Sequence, residues 1–261
     1  MTAIAGSHVL VTGGSQGIGL ATARACVDRG ARVSIVARGR DRLEHARQQL
    51  GGSAATASAD VTDPSDVQAA IDSLVEVHGP CDILVTAAGR AEPGYFLELE
   101  PEVFRRQLEL NYLGTLYSAR AVLPSMVARE RGHLVLLSSV SGLIGVFGYG
   151  AYTPTKFAVR GLGEALDGEF RARGIVTSVV YPPDTDTPGF HRENRSKPDE
   201  TARLSAGIAP ISADRVAASI IRGVERNRLH VTAEWQSRLL QRLGDLHGPT
   251  VRAALRWRLR A

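Results

Sequence analysis

The amino-acid sequence predicts an α/β fold, in which helices cover both faces of a parallel β-sheet. Short apolar runs alternate with amphipathic segments of about 10 to 20 residues, the pattern of repeated βαβ units. The runs consist largely of Val, Ile, Leu and other apolar residues, as expected of parallel strands covered on both sides. No internal repeat, low-complexity tract or linker divides the 261 residues, so we predict a single domain over 1–261.

Seven short apolar runs are predicted to form the strands, and the last of them has the weakest pattern. In chain order they are His8–Thr12, Arg32–Val36, Ala54–Asp60, Cys81–Thr86, His133–Ser138, Ile175–Tyr181 and Leu229–Thr232. Helices are predicted over residues 17–29, 40–50, 64–78, 101–130, 152–173 and 213–227. Two of these helices begin at sequences typical of N-terminal caps, Thr62-Asp63-Pro64 and Ser212-Ala213-Asp214.

A glycine-rich turn, Thr12 to Gly19, joins the first predicted strand to the first predicted helix. Glycines permit positive φ angles and a close approach of ligand to backbone. The helix N-terminus behind them presents unpaired N–H groups and the positive end of its dipole to a pyrophosphate. An ordinary strand-to-helix turn can also contain glycines. The strand–turn–helix context favours a dinucleotide site, and hence a sheet of the doubly wound Rossmann type.

The end of the second predicted strand indicates which dinucleotide is bound. An NAD-selective site places a carboxylate about 20 residues beyond the glycines, but Ala37 and Arg38 occupy this region. A guanidinium can bind a ribose 2′-phosphate, so the sequence predicts NADPH. Arg40 has the simpler interpretation of a solvated helix start. Asp60 is a candidate for contact with the adenine edge, or equally for a capping role.

Tyr152 and Lys156 are four residues apart on a predicted helix and therefore share one face. An ordinary tyrosine has a pKa of about 10, and we predict that the lysine cation and an oxidised nicotinamide lower it. Tyr152 would then donate a proton to a carbonyl oxygen in reduction or accept one in oxidation. Ser139 would hydrogen-bond the same oxygen, and Asn111 would orient Lys156 through water.

Each of these residues alone is more often structural than catalytic, but their joint order with the glycine turn predicts hydride transfer. The histidines and carboxylates form no metal-ligand pattern, so no metal site is predicted.

The stretch 183–212 is rich in Pro, Asp and Arg and lacks periodicity. Connections of this length usually act as lids or binding loops, and we predict a substrate lid there.

Over nearly its full length the chain resembles the short-chain dehydrogenase/reductase family. The matching residues run from the glycine turn through Asp60-Val61, Ala87-Ala88-Gly89, Asn111, Ser139, Tyr152, Lys156 and Pro182 to Thr187. This resemblance implies a seven-stranded Rossmann sheet, a homo-oligomer (dimer or tetramer), and contact of Thr187 with the nicotinamide carboxamide. The cofactor-binding positions that it implies are Gly13, Ser15, Gln16, Gly17, Ile18, Gly19, Arg38, Arg42, Asp60, Val61, Ala88, Gly89, Tyr152, Lys156, Pro182 and Thr187.

The predicted lid is similar to that of the 3-ketodihydrosphingosine reductase subgroup, from Tyr181-Pro182-Pro183 to Glu200-Thr201. This similarity implies NADPH-dependent reduction of the 3-keto group of a long-chain keto-lipid in sphingolipid biosynthesis.

Two positions depart from the family pattern: Thr86 replaces an asparagine in the strand-4 motif, and Gln16 replaces a serine in the turn. Two alternatives stay open: reduction of another bulky ketone (a steroid or β-ketoacyl lipid), and a non-catalytic NADP-binding sensor or scaffold.

Charge and composition bear on partners and location. The net charge of +4 suits anionic ligands but does not indicate nucleic acid. With Cys26 and Cys81 as its only cysteines and no run of about 18 apolar residues, the chain is predicted to be cytoplasmic. The basic tail, about 235–261, would suit peripheral contact with an anionic membrane, although a solvated or oligomer-packed helix has the same composition. The arginine-rich composition without membrane spans predicts a bacterial source.

Overall fold

A parallel sheet forms the centre of the protein, in a computed structural model that describes residues 1–206 and 209–241. The strands of the described residues are β1 (His8–Thr12), β2 (Arg32–Ala37), β3 (Ala55–Ser58), β4 (Ile83–Thr86), β5 (Gly132–Leu137), β6 (Ile175–Tyr181), β7 (Thr185–Asp186), β8 (Ile211–Ser212) and β9 (His230–Thr232). Seven of them form one parallel sheet in the order β3-β2-β1-β4-β5-β6-β9, while β7 and β8 pair separately. The predicted seven-stranded, doubly wound sheet is confirmed.

Helices cover both faces of this sheet. They are α1 (Gly17–Val27), α2 (Arg40–Gln49), α3 (Pro64–His78), α4 (Pro101–Leu108), α5 (Gly114–Ala128), α6 (Thr153–Phe170), α7 (Pro188–Glu193), α8 (Asp199–Ser205) and α9 (Ala213–Glu225). Strand β1 contributes side chains to the hydrophobic cores on both faces of the sheet. Val9 and Val11 pack with α1, α2 and α9, whereas Leu10 packs with α3, α5 and α6. Successive side chains of a strand point to opposite faces, so each must be apolar.

The predicted dinucleotide site lies where the strand order reverses, between β1 and β4. Thr12 and Thr86, the last residues of these strands, are in register, so the loops that follow them meet at one edge. Ligands of open α/β sheets bind in the crevice at such a reversal, outside the carboxyl ends of the strands.

Two predicted elements differ from the structure. The single helix predicted over 101–130 consists of α4, a π-helical turn at Glu109–Leu113, and α5. A π-turn is a single short turn inside a longer helix, too short to be recognised from the average helical period of the sequence. The predicted lid contains α7, α8 and the β7–β8 pair. These elements are too short to show a period in the sequence.

The basic tail predicted over 235–261 is described only from 235 to 241. Its most basic part, Arg252 to Arg260, lies outside the described residues. None of the helices within 1–206 and 209–241 is both long enough and apolar enough to cross a membrane.

Candidate active site

The glycine turn fits a dinucleotide pyrophosphate. Gly13 and Gly17 have φ angles of 71° and 56°, in the left-handed region that favours glycine. A Cβ on Gly13 would lie 2.5 Å from the backbone nitrogen of Ala88, so a larger residue would push the β1 and β4 loops apart. Gln16 caps α1 without a side-chain hydrogen bond. The first N–H groups of this helix therefore have no side-chain acceptor of their own at the place where a phosphate would bind.

At the other end of the cleft, Arg38 and Arg42 lie beyond the carboxyl end of β2. Arg38 is 65% exposed in its side chain, and its Nη1 lies 3.5 Å from Asp60 Oδ2. Burial of Asp60 alone would raise its pKa, but hydrogen bonds from Thr62 and the charge of Arg38 hold that pKa below its usual value. The Arg42 guanidinium lies over Gly39, 3.0 Å from where a Cβ would be. Two guanidinium groups are thus available to a 2′-phosphate. Ala37 lies where an NAD-selective site would have a carboxylate, so no negative charge there repels the phosphate.

Several other predicted cofactor-binding residues come after the carboxyl ends of strands. Val61 is buried against Gly114, and Ala88 and Gly89 follow β4. The buried Pro182 follows β6, and its carbonyl accepts a hydrogen bond from Val140. Thr187 caps α7, and its Cγ2 lies 3.2 Å from where a Cβ of Gly17 would be. The start of the lid therefore contacts the glycine turn directly.

Ser139 and Tyr152 lie close enough for the serine hydroxyl to lower the pKa of the phenol. Ser139 follows β5 as the N-cap of a short 3₁₀ turn, and its Oγ accepts a hydrogen bond of 3.1 Å from Ser141 N. Tyr152 is the N-cap residue of α6. The ends of a strand and a helix thus bring together two hydroxyls that can both reach one carbonyl oxygen.

Lys156 is held at the carboxyl end of β5. Its side chain is buried, with 4% of the residue exposed, and its Nζ donates a 2.9 Å hydrogen bond to the carbonyl oxygen of Leu137. Nζ lies 5.5 Å from the centroid of the Tyr152 ring. Burial lowers the pKa of this lysine to about 8. Ser138 donates a hydrogen bond to the Lys156 backbone carbonyl, a positioning role that the sequence did not distinguish from that of its neighbour Ser139.

Asn111 lies in the π-helical turn and is fully buried. Its side-chain amide pairs with the backbone of Arg90 in both directions and donates to Thr155 Oγ1 at 3.3 Å. A Cβ on Gly89 would lie 3.0 Å from Asn111 Oδ1 and 3.5 Å from Lys156 Nζ. Both groups therefore border the same small space, and the predicted link between them through water stays a prediction.

The pKa of Tyr152 differs in direction from the sequence-based expectation. Burial raises the pKa of the phenol, the negative charge of Glu193 raises it further, and the hydrogen bond from Ser139 acts against both. The surroundings within the protein thus favour the neutral phenol rather than the phenolate. A protonated hydroxyl is the form that a proton donor to a ketone needs. That the Lys156 ammonium and a bound dinucleotide lower this pKa stays a prediction.

Sequence reasoning missed two residues beside Tyr152. The rings of Tyr149 and Tyr152 lie 5.9 Å apart between centroids, and the buried Tyr149 hydroxyl donates a short hydrogen bond to Glu193 of α7. Tyr149 and Glu193 are 44 positions apart, so no local pattern links them. Among the described residues, no group of three or more His, Cys, Asp and Glu side chains could hold a metal ion.

Comparison with known proteins gives consistent results. A family model described as "short chain dehydrogenase" matches residues 7–198. A 3-dehydrosphinganine reductase of Danio rerio is 42% identical over 225 residues, which cover 83% of this chain and 68% of that protein. A 3-ketodihydrosphingosine reductase of Dictyostelium discoideum is 36% identical over 255 residues, 90% of this chain and 76% of that protein. The crystal structure of a short-chain dehydrogenase from Streptomyces avermitilis superimposes with a TM-score of 0.81 at 29% identity, covering 95% of both chains.

Proposed function

The chain belongs to the short-chain dehydrogenase family, and from this premise we propose that it reduces the 3-keto group of 3-ketodihydrosphingosine to dihydrosphingosine with NADPH. The observation that carries the reaction type is the grouping of three side chains: Ser139 close enough to lower the pKa of Tyr152, and the buried Lys156 with its Nζ 5.5 Å from the Tyr152 ring centroid. An NADP-binding sensor or scaffold has no need of this arrangement. The substrate assignment rests on the names of the relatives and on the similarity of the lid.

The mechanism follows from the residues around the carbonyl oxygen. Ser139 and Tyr152 hold this oxygen by two hydrogen bonds, which polarise the carbonyl group and fix its orientation. NADPH, when bound, would supply the hydride that the carbonyl carbon needs. Tyr152 gives its hydroxyl proton to the developing alkoxide, and the Lys156 ammonium stabilises the resulting phenolate. The glycine turn would hold the pyrophosphate, and Arg38 with Arg42 the 2′-phosphate.

Exposed apolar side chains near this centre suit an alkyl chain. Phe96 and Leu97 are 67% and 94% exposed, and the Phe96 ring lies 3.1 Å from where a Cβ of Gly150 would be, two residues before Tyr152. Phe147 is also exposed, and its ring packs edge-on against Tyr95. An apolar surface beside the reacting hydroxyls favours a long-chain ketone over a small polar one.

Location, assembly and source remain proposals. We propose a cytoplasmic homo-oligomer that meets its lipid substrate at the membrane surface, supported by the basic tail and by the exposed apolar side chains. The bacterial source also stays a prediction, since both named reductase relatives are eukaryotic.

The function is tested by following NADPH consumption with a panel of ketones: 3-ketodihydrosphingosine, a keto-steroid and a β-ketoacyl thioester. We expect the highest kcat/KM with 3-ketodihydrosphingosine. Tyr152→Phe should lower turnover about a thousandfold, because the proton donor is lost, while NADPH affinity changes by less than about twofold. Faster turnover of another ketone would contradict the substrate assignment, and full activity of Tyr152→Phe would contradict the mechanism.

A further inference from the structure

Glu193, at the end of α7, places a lid carboxylate next to the reacting hydroxyls. The Tyr149 hydroxyl donates to Glu193 Oε1, and the Tyr149 ring lies 5.9 Å from the ring of Tyr152 between centroids. The negative charge of Glu193 is also felt at the Tyr152 phenol, whose pKa it raises. The carboxylate therefore belongs to the surroundings of the carbonyl oxygen that Tyr152 would hold.

Other charged groups face the same place. Asp184 lies at the start of the lid, and its carboxylate is 4.0 Å from Lys197 Nζ. The Lys197 side chain is largely buried, and its Nζ lies 5.1 Å from the centroid of the Phe190 ring. With all three side chains ionised, Asp184, Glu193 and Lys197 together carry one net negative charge. This charge lies where a cationic substrate group would be favourable.

The negative charge of a carboxylate is energetically unfavourable at this position unless a cation lies beside it. Burial raises the pKa of Glu193 and the negative charge of Asp184 adds to this, while the hydrogen bond from Tyr149 and the charge of Lys197 act against both. If Glu193 served only to fasten the lid to Tyr149, a neutral glutamine would accept the same hydrogen bond without this cost. Lys197 balances one of the two carboxylates, Asp184 and Glu193, so one negative charge is left for a further cation.

The substrate of the proposed function offers such a partner. In 3-ketodihydrosphingosine a primary amine is attached to the carbon next to the carbonyl carbon, so its nitrogen lies two bonds from the reacting carbon. We propose that Glu193 binds this amine in its protonated form and thereby selects 2-amino ketones over ketones that lack the amine. This inference rests on the proposed function and adds a specificity-determining residue to it.

The test compares two substrates that differ only in the amine, 3-ketodihydrosphingosine and 1-hydroxyoctadecan-3-one. In the wild-type protein we expect kcat/KM to be at least about tenfold higher for the amine-bearing ketone, as for a charge-assisted hydrogen bond. Glu193→Gln keeps an acceptor for Tyr149 but removes the charge. It should lower the ratio of the two kcat/KM values by about tenfold to a hundredfold.

Glu200→Gln is the matched control, since Glu200 is a second lid carboxylate that accepts a hydrogen bond from a tyrosine, Tyr95, at 2.8 Å. Unlike Glu193, Glu200 is not one of the charges that raise the pKa of Tyr152, so we expect the substrate ratio to stay at the wild-type value. Tyr149→Phe removes the hydrogen bond to Glu193 but leaves the charge, so the preference for the amine should largely persist.

Several outcomes would overturn the inference. Equal kcat/KM values of the wild-type protein for the two ketones would do so without any variant, even if Glu193→Gln failed to fold. An equal loss for both substrates in Glu193→Gln would show that the residue only fastens the lid. If neither ketone is reduced while another one is, the proposed function itself fails and this inference falls with it.

Discussion

At the residue scale, the reacting groups have ionisation properties that suit the direction of reduction. Burial raises the pKa of the Tyr152 phenol and lowers the pKa of Lys156 to about 8. The phenol is therefore protonated before the reaction. The lysine keeps its positive charge at neutral pH and can stabilise the phenolate that forms. Both pKa shifts have the same cause, because water is excluded from the carboxyl end of β5 and the start of α6.

Arg38 is expected to decide the choice between the two nicotinamide cofactors. Arg38→Asp should raise the KM for NADPH about tenfold to a hundredfold and leave the KM for NADH much less affected, because it replaces a phosphate partner with a repelling charge. Steady-state kinetics with both cofactors measure this effect. Arg40→Asp, at the solvated start of α2, is the control and should change neither value by more than about twofold. Equal effects of Arg38→Asp on both cofactors would remove the case for the phosphate contact.

At the element scale, the lid is fastened to the loop that leads into α6. The buried Thr201 of α8 donates a 2.9 Å hydrogen bond to the carbonyl oxygen of Phe147. Next to it, Gly148 has a φ angle of 75°, and a Cβ there would lie 2.7 Å from Thr201 Oγ1 and 2.9 Å from Pro198 Cγ. The lid and the loop of Tyr149 and Tyr152 therefore fit together only around a glycine.

Gly148→Ala should loosen this contact. The methyl group meets Thr201 and Pro198, and the left-handed backbone is unfavourable for alanine, so we expect a loss of about 1–3 kcal/mol of stability. The kcat/KM for the ketone should fall about tenfold while NADPH affinity is retained, because the lid then covers the substrate poorly. Gly145→Ala in the same loop is the control, since a Cβ there meets nothing within 4 Å and φ lies outside the left-handed region. Similar kinetics of the two variants would argue against the lid contact.

At the scale of the whole molecule, the sheet buries histidines near the amino ends of its strands, opposite the active site. His133, the second residue of β5, hydrogen-bonds Thr2 and Ser178, and burial lowers its pKa to about 3. His8, the first residue of β1, also has a lowered pKa through burial. Both side chains are neutral in the folded protein, whereas a histidine in the unfolded chain takes up a proton below a pH of about 6.5.

The fold should therefore lose stability in mild acid. Between a pH of about 6.5 and about 3 the unfolded state binds a proton that folded His133 does not, so the free energy of unfolding falls as the pH falls. For His133 alone we expect a loss of about 2–3 kcal/mol between pH ~7 and pH ~4.5, measured by urea denaturation. His133→Gln should flatten this pH dependence by that amount, whereas His45→Gln, on the exposed side of α2, should not. An unchanged slope in His133→Gln would refute the assignment.

The sequence by itself determined the sheet, the glycine turn at the reversal of strand order and the choice of candidate site residues. These depend on local patterns: apolar runs such as Leu10 with its neighbours, the glycines between β1 and α1, and the four-residue spacing of Tyr152 and Lys156. Only the tertiary structure decided that Glu193 binds Tyr149, whose ring lies next to that of Tyr152, and that Leu137 and Ser138 hold Lys156. It also decided the direction of the pKa shift of Tyr152. Burial and contacts between distant positions arise only once the chain has packed, so no local pattern of residues encodes them.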